Sequence, residues 1–196
     1  MSGTFPTAGF TAVNWQSNTV SRVTTSVSGI TKRLKTGAQY WSFSLKSPAL
    51  SRTDFMSLYS FIVKQDGQFS SFTVVPPVIS TTRGTASGIV TVNANTSPGV
   101  LTCNVDTVAT GTLKKGDLIK FSNHDKVYML TEDVNLDGST VNELTFYPNL
   151  TTAITTTTLV DYTNVPITVF LNSDQQSYTA NADGTFQYEI AVREDI

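Results

Sequence analysis

Short runs of β-branched and aromatic residues, separated by Gly, Pro, Asn and Asp, make up most of this 196-residue chain and set its fold class. In QYWSFSL, Trp41, Phe43 and Leu45 alternate with polar residues, which predicts a strand with one buried face. The first run, FTAVNWQSNTVSRVTTSVSG, is typical of a strand, a turn and a second strand. The later runs are FSSFTVVPP, SGIVTVNA, GVLTCNVD, DLIKF, KVYMLTEDV, ELTFYP, TTTLVDY, VPITVFLNSD and GTFQYEIAVRED. We therefore predict a mainly β protein.

One segment, SPALSRTDFMSLYSFIVKQDGQF, breaks the β pattern and predicts one principal helix at about residues 51–66. Its apolar residues recur at helical spacing and form one stripe: Phe55, Leu58, Tyr59 and Ile62. Ser51 can cap the helix, Asp54 suits the positive end of the helix dipole, and Gly67 is a natural stop. The predicted core between helix and sheet consists of Trp41, Phe43, Phe55, Leu58, Phe61, Phe69 and Phe72.

The chain divides by composition into a core and an insertion. Pro76 and Pro77 end a strand, because neither can donate a hydrogen bond to a sheet. Beyond them the strands are short and closely spaced, which favours a small sandwich or barrel. The last two runs are clean strands that would return to the first sheet. We predict a β-sandwich-like core of residues 1–80 and 164–196, with an inserted small β-barrel or sandwich at 81–163.

Charge is sparse and unevenly placed along the chain. Charged residues make up 14% of the sequence, against roughly 25% in typical soluble domains, so the surface is weakly protected against association. Residues 1–83 carry eight Lys/Arg and two acids, whereas the remainder carries five Lys/Arg and thirteen acids. Opposite charges favour contacts between copies, with chance clustering on solvated faces as the alternative. The basic part has no nucleic-acid-binding motif, so we predict no sequence-specific nucleic-acid partner.

Two further features bound where the chain works. No apolar run approaches the roughly 18 residues of a membrane helix, and MSGTFPTAGFTAV lacks the basic start and apolar core of a signal peptide. We therefore expect a soluble protein made in the cytoplasm, without membrane contact. The single cysteine, Cys103, excludes an internal disulfide; in VLTCNV it is expected to be a buried small hydrophobic residue, a reactive thiol being the alternative.

Residues 113–150 gather the only histidine, His124, with several acids, and form the strongest candidate for chemistry. The acids are Asp117, Asp125, Glu132, Asp133 and Asp137. Turns explain the pattern: Gly116 can adopt positive φ, Asp117 can bond a backbone amide, and SNHDK places His124 at an exposed hairpin tip. A metal site needs several converging ligands, which one histidine beside one aspartate does not supply.

The segment DVNLDGSTVNE partly matches a calcium-binding loop. Its first, third, fifth and sixth positions are filled by Asp133, Asn135, Asp137 and Gly138. The twelfth position, which needs a bidentate glutamate, is Leu144, and Glu143 is one residue short, so an ordinary turn is favoured. No GxSxG elbow or phosphate loop is present, and no two acids stand out as a hydrolytic pair. We predict no enzyme activity and no catalytic, cofactor-binding or metal-binding residue.

The order of features resembles that of a known family. An aromatic strand leads to the helix, and a glycine and a strand that contains a Phe follow the helix. A strand preceded by Gly-Asp comes next. A Pro and a Leu then lie late in the chain, and a glutamate lies in the closing strand. The matching positions are Trp41, Phe43, Gly67, Phe72, Gly116, Asp117, Pro148, Leu150 and Glu194. In this order the chain resembles tailed-bacteriophage tail structural proteins of the distal-tail or baseplate-associated family. Gln68 departs from the pattern, since the family often has an arginine there.

The resemblance implies a structural virion protein, made in the host cytoplasm, that forms an oligomeric ring joining the tail tube to the distal tail or baseplate. Tube, hub and baseplate proteins would be its partners. The first 30 residues, poor in hydrophobic content, are expected to reach an adjacent copy. Alternatives are a host-surface or carbohydrate-binding module acting through Tyr128, Tyr147 or Tyr162, a head-tail or tail-terminator adaptor, and a cell-wall hydrolase.

Overall fold

A computed structural model describes residues 3–6, 9–138 and 141–196, and it confirms a mainly β fold with fourteen strands and one helix in those residues. The chain forms two compact units. The barrel unit consists of Met1–Phe5, Ser71–Val169 and Asp195–Ile196, and the hairpin unit consists of Pro6–Ser70 and Phe170–Glu194. The division of the chain into a core and an insertion at 81–163 stays a prediction.

The hairpin unit is built on a long antiparallel hairpin. Strands β1 (Ala12–Thr25), β2 (Thr31–Lys46) and β14 (Phe186–Glu194) lie side by side in that order, and β13 (Tyr178–Ala180) pairs with β14. The predicted strand, turn and strand within the first run is therefore wrong, because a single strand covers most of it. The Thr and Val residues of this run, which are β-branched, are well suited to one continuous exposed strand.

A bulge divides this hairpin into two parts. The register shifts between Thr19 and Ser21, so Val20 faces residues 36–38 of β2. Gly37 fits this approach, since a Cβ added there would lie 3.0 Å from the Cβ of Val20. On one side of the bulge Trp41, Phe43 and Leu45 are buried, as predicted. On the other side every residue from 20 to 35 is exposed, and we call this segment the hairpin arm.

Helix α1 (Arg52–Val63) lies within the predicted range of residues 51–66. The hydroxyl of Ser51 accepts a hydrogen bond from the Asp54 amide at 3.3 Å, which confirms the predicted cap. Phe55, Leu58 and Ile62 form the buried face of the helix. Phe55 stacks on Phe186 of β14 with ring centroids 5.0 Å apart, so the helix packs on the sheet of the hairpin unit.

The predicted core needs three corrections. Phe69 is 87% exposed, Phe61 is half-buried, and Phe72, although buried, belongs to the barrel unit, where it stacks on Phe5. The helix ends at Val63 and Gly67 adopts a φ of +62°, so the chain turns sharply and Phe69 no longer follows the helical stripe. The other four predicted residues, Trp41, Phe43, Phe55 and Leu58, are buried.

Six short strands form the main sheet of the barrel unit. They are β4 (Val90–Val92), β5 (Thr102–Thr107), β7 (Leu118–Phe121), β8 (Val127–Leu130), β10 (Asn142–Tyr147) and β11 (Val160–Asp161), in the order β11-β7-β8-β10-β5-β4. The Val92 amide donates to the Thr158 carbonyl at 2.8 Å, and the Thr157 amide donates to the Val92 carbonyl at 2.9 Å. These bonds join the two ends of the sheet, which closes nearly into a barrel.

Smaller pairings complete the barrel unit. Strands β6 (Thr110–Leu113) and β9 (Val134–Asp137) form a two-stranded ribbon, and neither was predicted as a separate strand. Strand β3 (Phe72–Val74) pairs with the first part of β12 (Ile167–Leu171). The barrel core is centred on three rings in edge-to-face contact, at centroid distances of 5.1 to 5.7 Å: Phe121, Tyr128 and Phe146.

Candidate assembly surfaces

The hairpin arm combines exposed aliphatic side chains with positive charge. Its aliphatic residues, each at least 47% exposed, are Val20, Val23, Val27, Ile30 and Leu34. Its charged residues are all basic: Arg22, Lys32, Arg33 and Lys35. The register pairs Val23 with Arg33 and Leu34 with Arg22, so the aliphatic side chains lie on both faces of the arm beside basic residues, and only a partner that contacts both faces buries them. The arm is therefore the strongest candidate interface of the hairpin unit.

Strand β1 adds a long sheet edge to this surface. It pairs with β2 over its length, and no described strand lies along its other side. An exposed edge of 14 residues is a template for pairing with another chain. The edge and the arm belong to the same hairpin, so one partner could use both.

The base of the hairpin is fixed by buried contacts. The ring of Trp15 lies 5.2 Å from that of Trp41 and 5.0 Å from that of Phe43. Glu194 at the end of β14 is 1% exposed, and its carboxylate accepts the Trp41 amide at 3.0 Å. A charge-assisted bond in a buried site holds β2 in one position. The arm therefore projects from a rigid base.

Asp117 has a structural role in the barrel unit. It is 2% exposed, and its carboxylate accepts hydrogen bonds from the amides of Arg83 at 3.0 Å and Lys114 at 2.9 Å, and from the hydroxyl of Thr82. The Arg83 guanidinium lies 3.5 Å away. Gly116 has a φ of +91°, which confirms the predicted turn and backbone bond. Asp117 thus joins two loops and has little capacity left for a ligand.

Two neighbouring aspartates are also engaged by the chain itself. Asp133 accepts the Lys115 amide at 2.8 Å and the Lys114 ammonium at 2.9 Å, and these bonds lower its pKa. Asp125 accepts Lys120 at 2.8 Å and the Thr168 hydroxyl at 2.9 Å. The Lys120 bond is the main cause of the lowered pKa of Asp125.

His124 is half-buried, whereas the sequence suggested an exposed tip. Its ring stacks on Phe121 at 5.8 Å, its Nε2 lies 2.8 Å from the Tyr128 hydroxyl, and its Nδ1 lies 2.7 Å from the Asn123 side-chain oxygen. The Tyr128 hydroxyl also accepts the Thr151 amide at 3.1 Å. His124 thereby belongs to a polar network that ties the β7-β8 turn to a neighbouring loop.

Acidification is expected to weaken the fold through His124. Burial, and next the charge of Lys120, lower the pKa of His124 below 6.5; Asp125 opposes this effect and Lys126 adds to it. The unfolded chain therefore takes up a proton at higher pH than the folded chain, and stability falls as pH drops below about 6.5. We expect the midpoint temperature of thermal unfolding to decrease as the pH is lowered from about 7 to about 5.5. The decrease should be much smaller in His124→Gln. An equal fall in both proteins would contradict this assignment.

The calcium-like segment is part of the ribbon and of a barrel strand. Asn135 and Asp137 lie on β9 and Glu143 lies on β10, while the predicted turn includes Ser139 and Thr140, which lie outside the described residues. Gly138 has a φ of +77°, as a turn requires. Within the described parts of the chain, no three His, Cys, Asp or Glu side chains converge as metal ligands would.

The remaining sequence candidates are mainly core residues. Cys103 is 4% exposed, as predicted, and burial, with a smaller contribution from Glu143, raises its pKa to about 12. A thiol with so high a pKa is a poor nucleophile at neutral pH. Tyr128 and Tyr162 are buried, and Tyr147 is half-buried. The first two therefore offer no open ring face on which a sugar could stack.

Sequence reasoning missed both the hairpin arm and the exposure of Phe69. The run SRVTTSVSGITKRLK carried a signal for the arm. Its basic and polar residues occupy both odd and even positions, so neither face of the hairpin is apolar, whereas a half-buried strand has polar residues on one face only. The exposure of Phe69 did have a local signal: Phe69 lies three residues before Phe72, so a strand with Phe72 and Val74 on its buried face would place Phe69 on the other face.

Comparison with known proteins bears on these surfaces. Residues 65–165 match the model of a family described as the distal tail protein pb9, B domain. The chain belongs to this family. It is also 27% identical, over 196 residues, to distal tail protein pb9 of Escherichia phage T5, an alignment that covers 98% of this chain and 95% of that protein. The predicted resemblance to phage tail proteins is confirmed, and the chain is a structural protein of a bacteriophage tail.

The pb9 B-domain match can be placed on the fold. It starts just after α1 and runs through the described strands β3 to β11, so it covers most of the barrel unit. Asp117, which joins two loops there, lies within the match. Trp41 and Glu194, which fix the base of the hairpin, lie outside it. No helix among the described residues is long and apolar enough to cross a membrane.

Proposed function

We propose that this chain forms a homo-oligomeric ring that connects the tail tube to the distal tail or baseplate of a phage. Its role is mechanical and not enzymatic, and it is made in the host cytoplasm before it enters the virion. Other tail proteins of the tube, hub and baseplate contact the ring. The residues 81–163 act as an inserted domain on the ring-forming core, in keeping with the B-domain match over 65–165.

The hairpin carries this proposal. The exposed edge of β1 offers backbone donors and acceptors, and the arm offers apolar side chains, so a second copy could satisfy both at once. Contact between two different surfaces of identical subunits continues from copy to copy and closes into a ring when the rotation permits. Positive charge on the arm favours an acidic partner surface.

The ring is tested first by mass measurement of the purified chain under native conditions, over a range of concentrations. A discrete multimer is expected. A tight monomer at every concentration, also in the presence of purified tail tubes as template, would contradict the proposal.

Hydrogen exchange gives a second test of the same proposal. The backbone amides of residues 3–29 are expected to be protected from hydrogen exchange in assembled tails and labile in the isolated chain. Thr7 and Ala8 in this range lie outside the described residues. The difference should fall on the β1 amides that point away from β2, since the others already pair in the hairpin. Equal protection in both states would count against pairing between copies.

A further inference from the structure

The sheet of the hairpin unit has a second free edge, which is formed by the short strand β13. The Phe186 amide of β14 donates to the Leu50 carbonyl at 3.0 Å, and the Leu50 amide donates to the Phe186 carbonyl at 2.9 Å. These bonds continue the ladder between β14 and β2, so β13 pairs with the other side of β14. No described strand lies along the outer side of β13. Strands β1 and β13 are therefore opposite edges of the order β1-β2-β14-β13.

The outer edge of β13 offers backbone donors and acceptors to another strand. Ala180 lies opposite Phe186, whose amide and carbonyl both point to Leu50, so the backbone groups of Ala180 point away from β14. Tyr178, two residues earlier on the strand, points its backbone groups the same way. All three residues of β13 are exposed, and Tyr178 is 43% exposed. This edge is thus open to pairing with another chain.

Negative charge flanks the β13 edge. Residues 172–189 contain no Lys or Arg and three acids: Asp174, Asp183 and Glu189. Lys46 lies opposite Glu189 across the two strands and offsets its charge, whereas Asp174 and Asp183 are exposed at the two ends of β13. Helix α1, which packs beside β13, has one base and one acid and so adds no net charge. The edge therefore favours a basic strand as its partner.

The arm part of β1 has the properties that this edge requires. Residues 20–25 lie on the free edge of β1, in an arm whose four charged residues are all basic. Residues 12–19 of the same edge carry no charge, so attraction to the acids favours the arm part. A strand paired along an edge places alternate side chains on both faces of the sheet. Tyr178 would therefore contact aliphatic residues on one face of the arm, and Thr179 would contact the other face.

We propose that residues 20–25 of one copy pair as a strand with Tyr178–Ala180 of a second copy, so that the basic arm lies between Asp174 and Asp183 of that copy. The proposal rests on the ring function above and names the acidic surface that receives the arm. Because the two edges lie at opposite sides of one sheet, each copy uses both of them. The contact then repeats from head to tail around a ring.

Cross-linking between two single-site variants tests the contact directly. Ser21→Cys places a thiol on the arm and Thr179→Cys places one on β13, both at exposed positions. The full-length variants are co-expressed, purified together and treated with a short bismaleimide, to which buried Cys103 is inert. We expect a covalent heterodimer, identified by its mass. In the control, Ser57→Cys on the exposed face of α1 replaces Ser21→Cys and should give no product. No product from the first pair, or equal yields from both pairs, overturns the proposal.

A proline at the free edge separates this contact from the ring itself. Ala180→Pro removes an amide that points away from β14 and leaves the pair between Thr179 and Gln187 in place. Association should weaken about tenfold or more, whereas Ala180→Val, which keeps the amide, should assemble like the wild type. Equal weakening in both variants overturns the strand pairing. A ring that Ala180→Pro leaves intact overturns the contact and spares the ring. A cross-linked pair without any closed multimer supports the contact and removes the ring.

Discussion

Replacing Trp41 with alanine is expected to lower the free energy of unfolding by about 3–5 kcal/mol and to abolish assembly. Trp41 is 3% exposed and its ring packs on Trp15, so truncation leaves a cavity at the base of the hairpin. The hydrogen bond from the Trp41 amide to the Glu194 carboxylate does not involve the Trp41 side chain and remains possible in the variant. The loss of stability therefore comes from packing. Phe43→Ala, at an equally buried site, should fall in the same range.

Urea unfolding of the full-length chain measures this loss, and native mass measurement follows assembly. Small domains are stable by only about 5–15 kcal/mol, so a loss of about 3–5 kcal/mol removes a large fraction of that stability, and the cavity also loosens the base from which the arm projects. Phe69→Ala provides the matched control, since it removes a similar ring from an exposed site and should leave the unfolding midpoint unchanged. A change below about 1 kcal/mol in Trp41→Ala would show that the hairpin base is not part of the stabilising core.

The features that could be predicted from sequence are those that repeat locally. The alternation around Trp41 and the helical stripe from Phe55 to Ile62 depend on which face of one element is buried, and both were confirmed. The Ser51 cap and the turn at Gly116 depend on neighbouring residues and were confirmed too. Each of these signals lies within a few residues of the structure that it predicts.

Features that depend on distant partners could not be predicted in the same way. Strands β6 and β9 pair across more than twenty residues, and the segment around β9 partly matched a calcium loop because Asp133, Asn135 and Asp137 alternate with apolar residues. Phe69 lies in an apolar run that was read as strand, but the strand begins only at Phe72, and the turn at Gly67 and the bond from the Gln68 amide to Asp174 fix the loop that carries Phe69. The half-burial of His124 likewise depends on Tyr128 and Phe121, which lie on the two strands it connects.

The hairpin arm gives the second large expected effect. In the double variant Val23→Asp and Leu34→Asp, association should weaken by more than about 30-fold, and the ring should be lost at ordinary concentrations. Val23 is 60% exposed and Leu34 is 64% exposed, so the substitutions add charge to the proposed interface without touching the core. The unfolding midpoint of the isolated chain should therefore stay close to that of the wild type. Native mass measurement and urea unfolding check the two halves of this prediction.

The control for the arm is the double variant Thr24→Asp and Thr31→Asp. Both residues are exposed, and they do not pair with each other, because Thr24 pairs with Lys32 and Thr31 pairs with Thr25; the control therefore adds two negative charges that are not directly opposite and removes no aliphatic side chain. If buried apolar contact holds the copies together, the control should assemble much better than Val23→Asp with Leu34→Asp. If both double variants fail equally, the positive charge of the arm is the dominant attraction. If both assemble like the wild type, the arm lies outside the interface, and the β1 edge alone would have to join the copies.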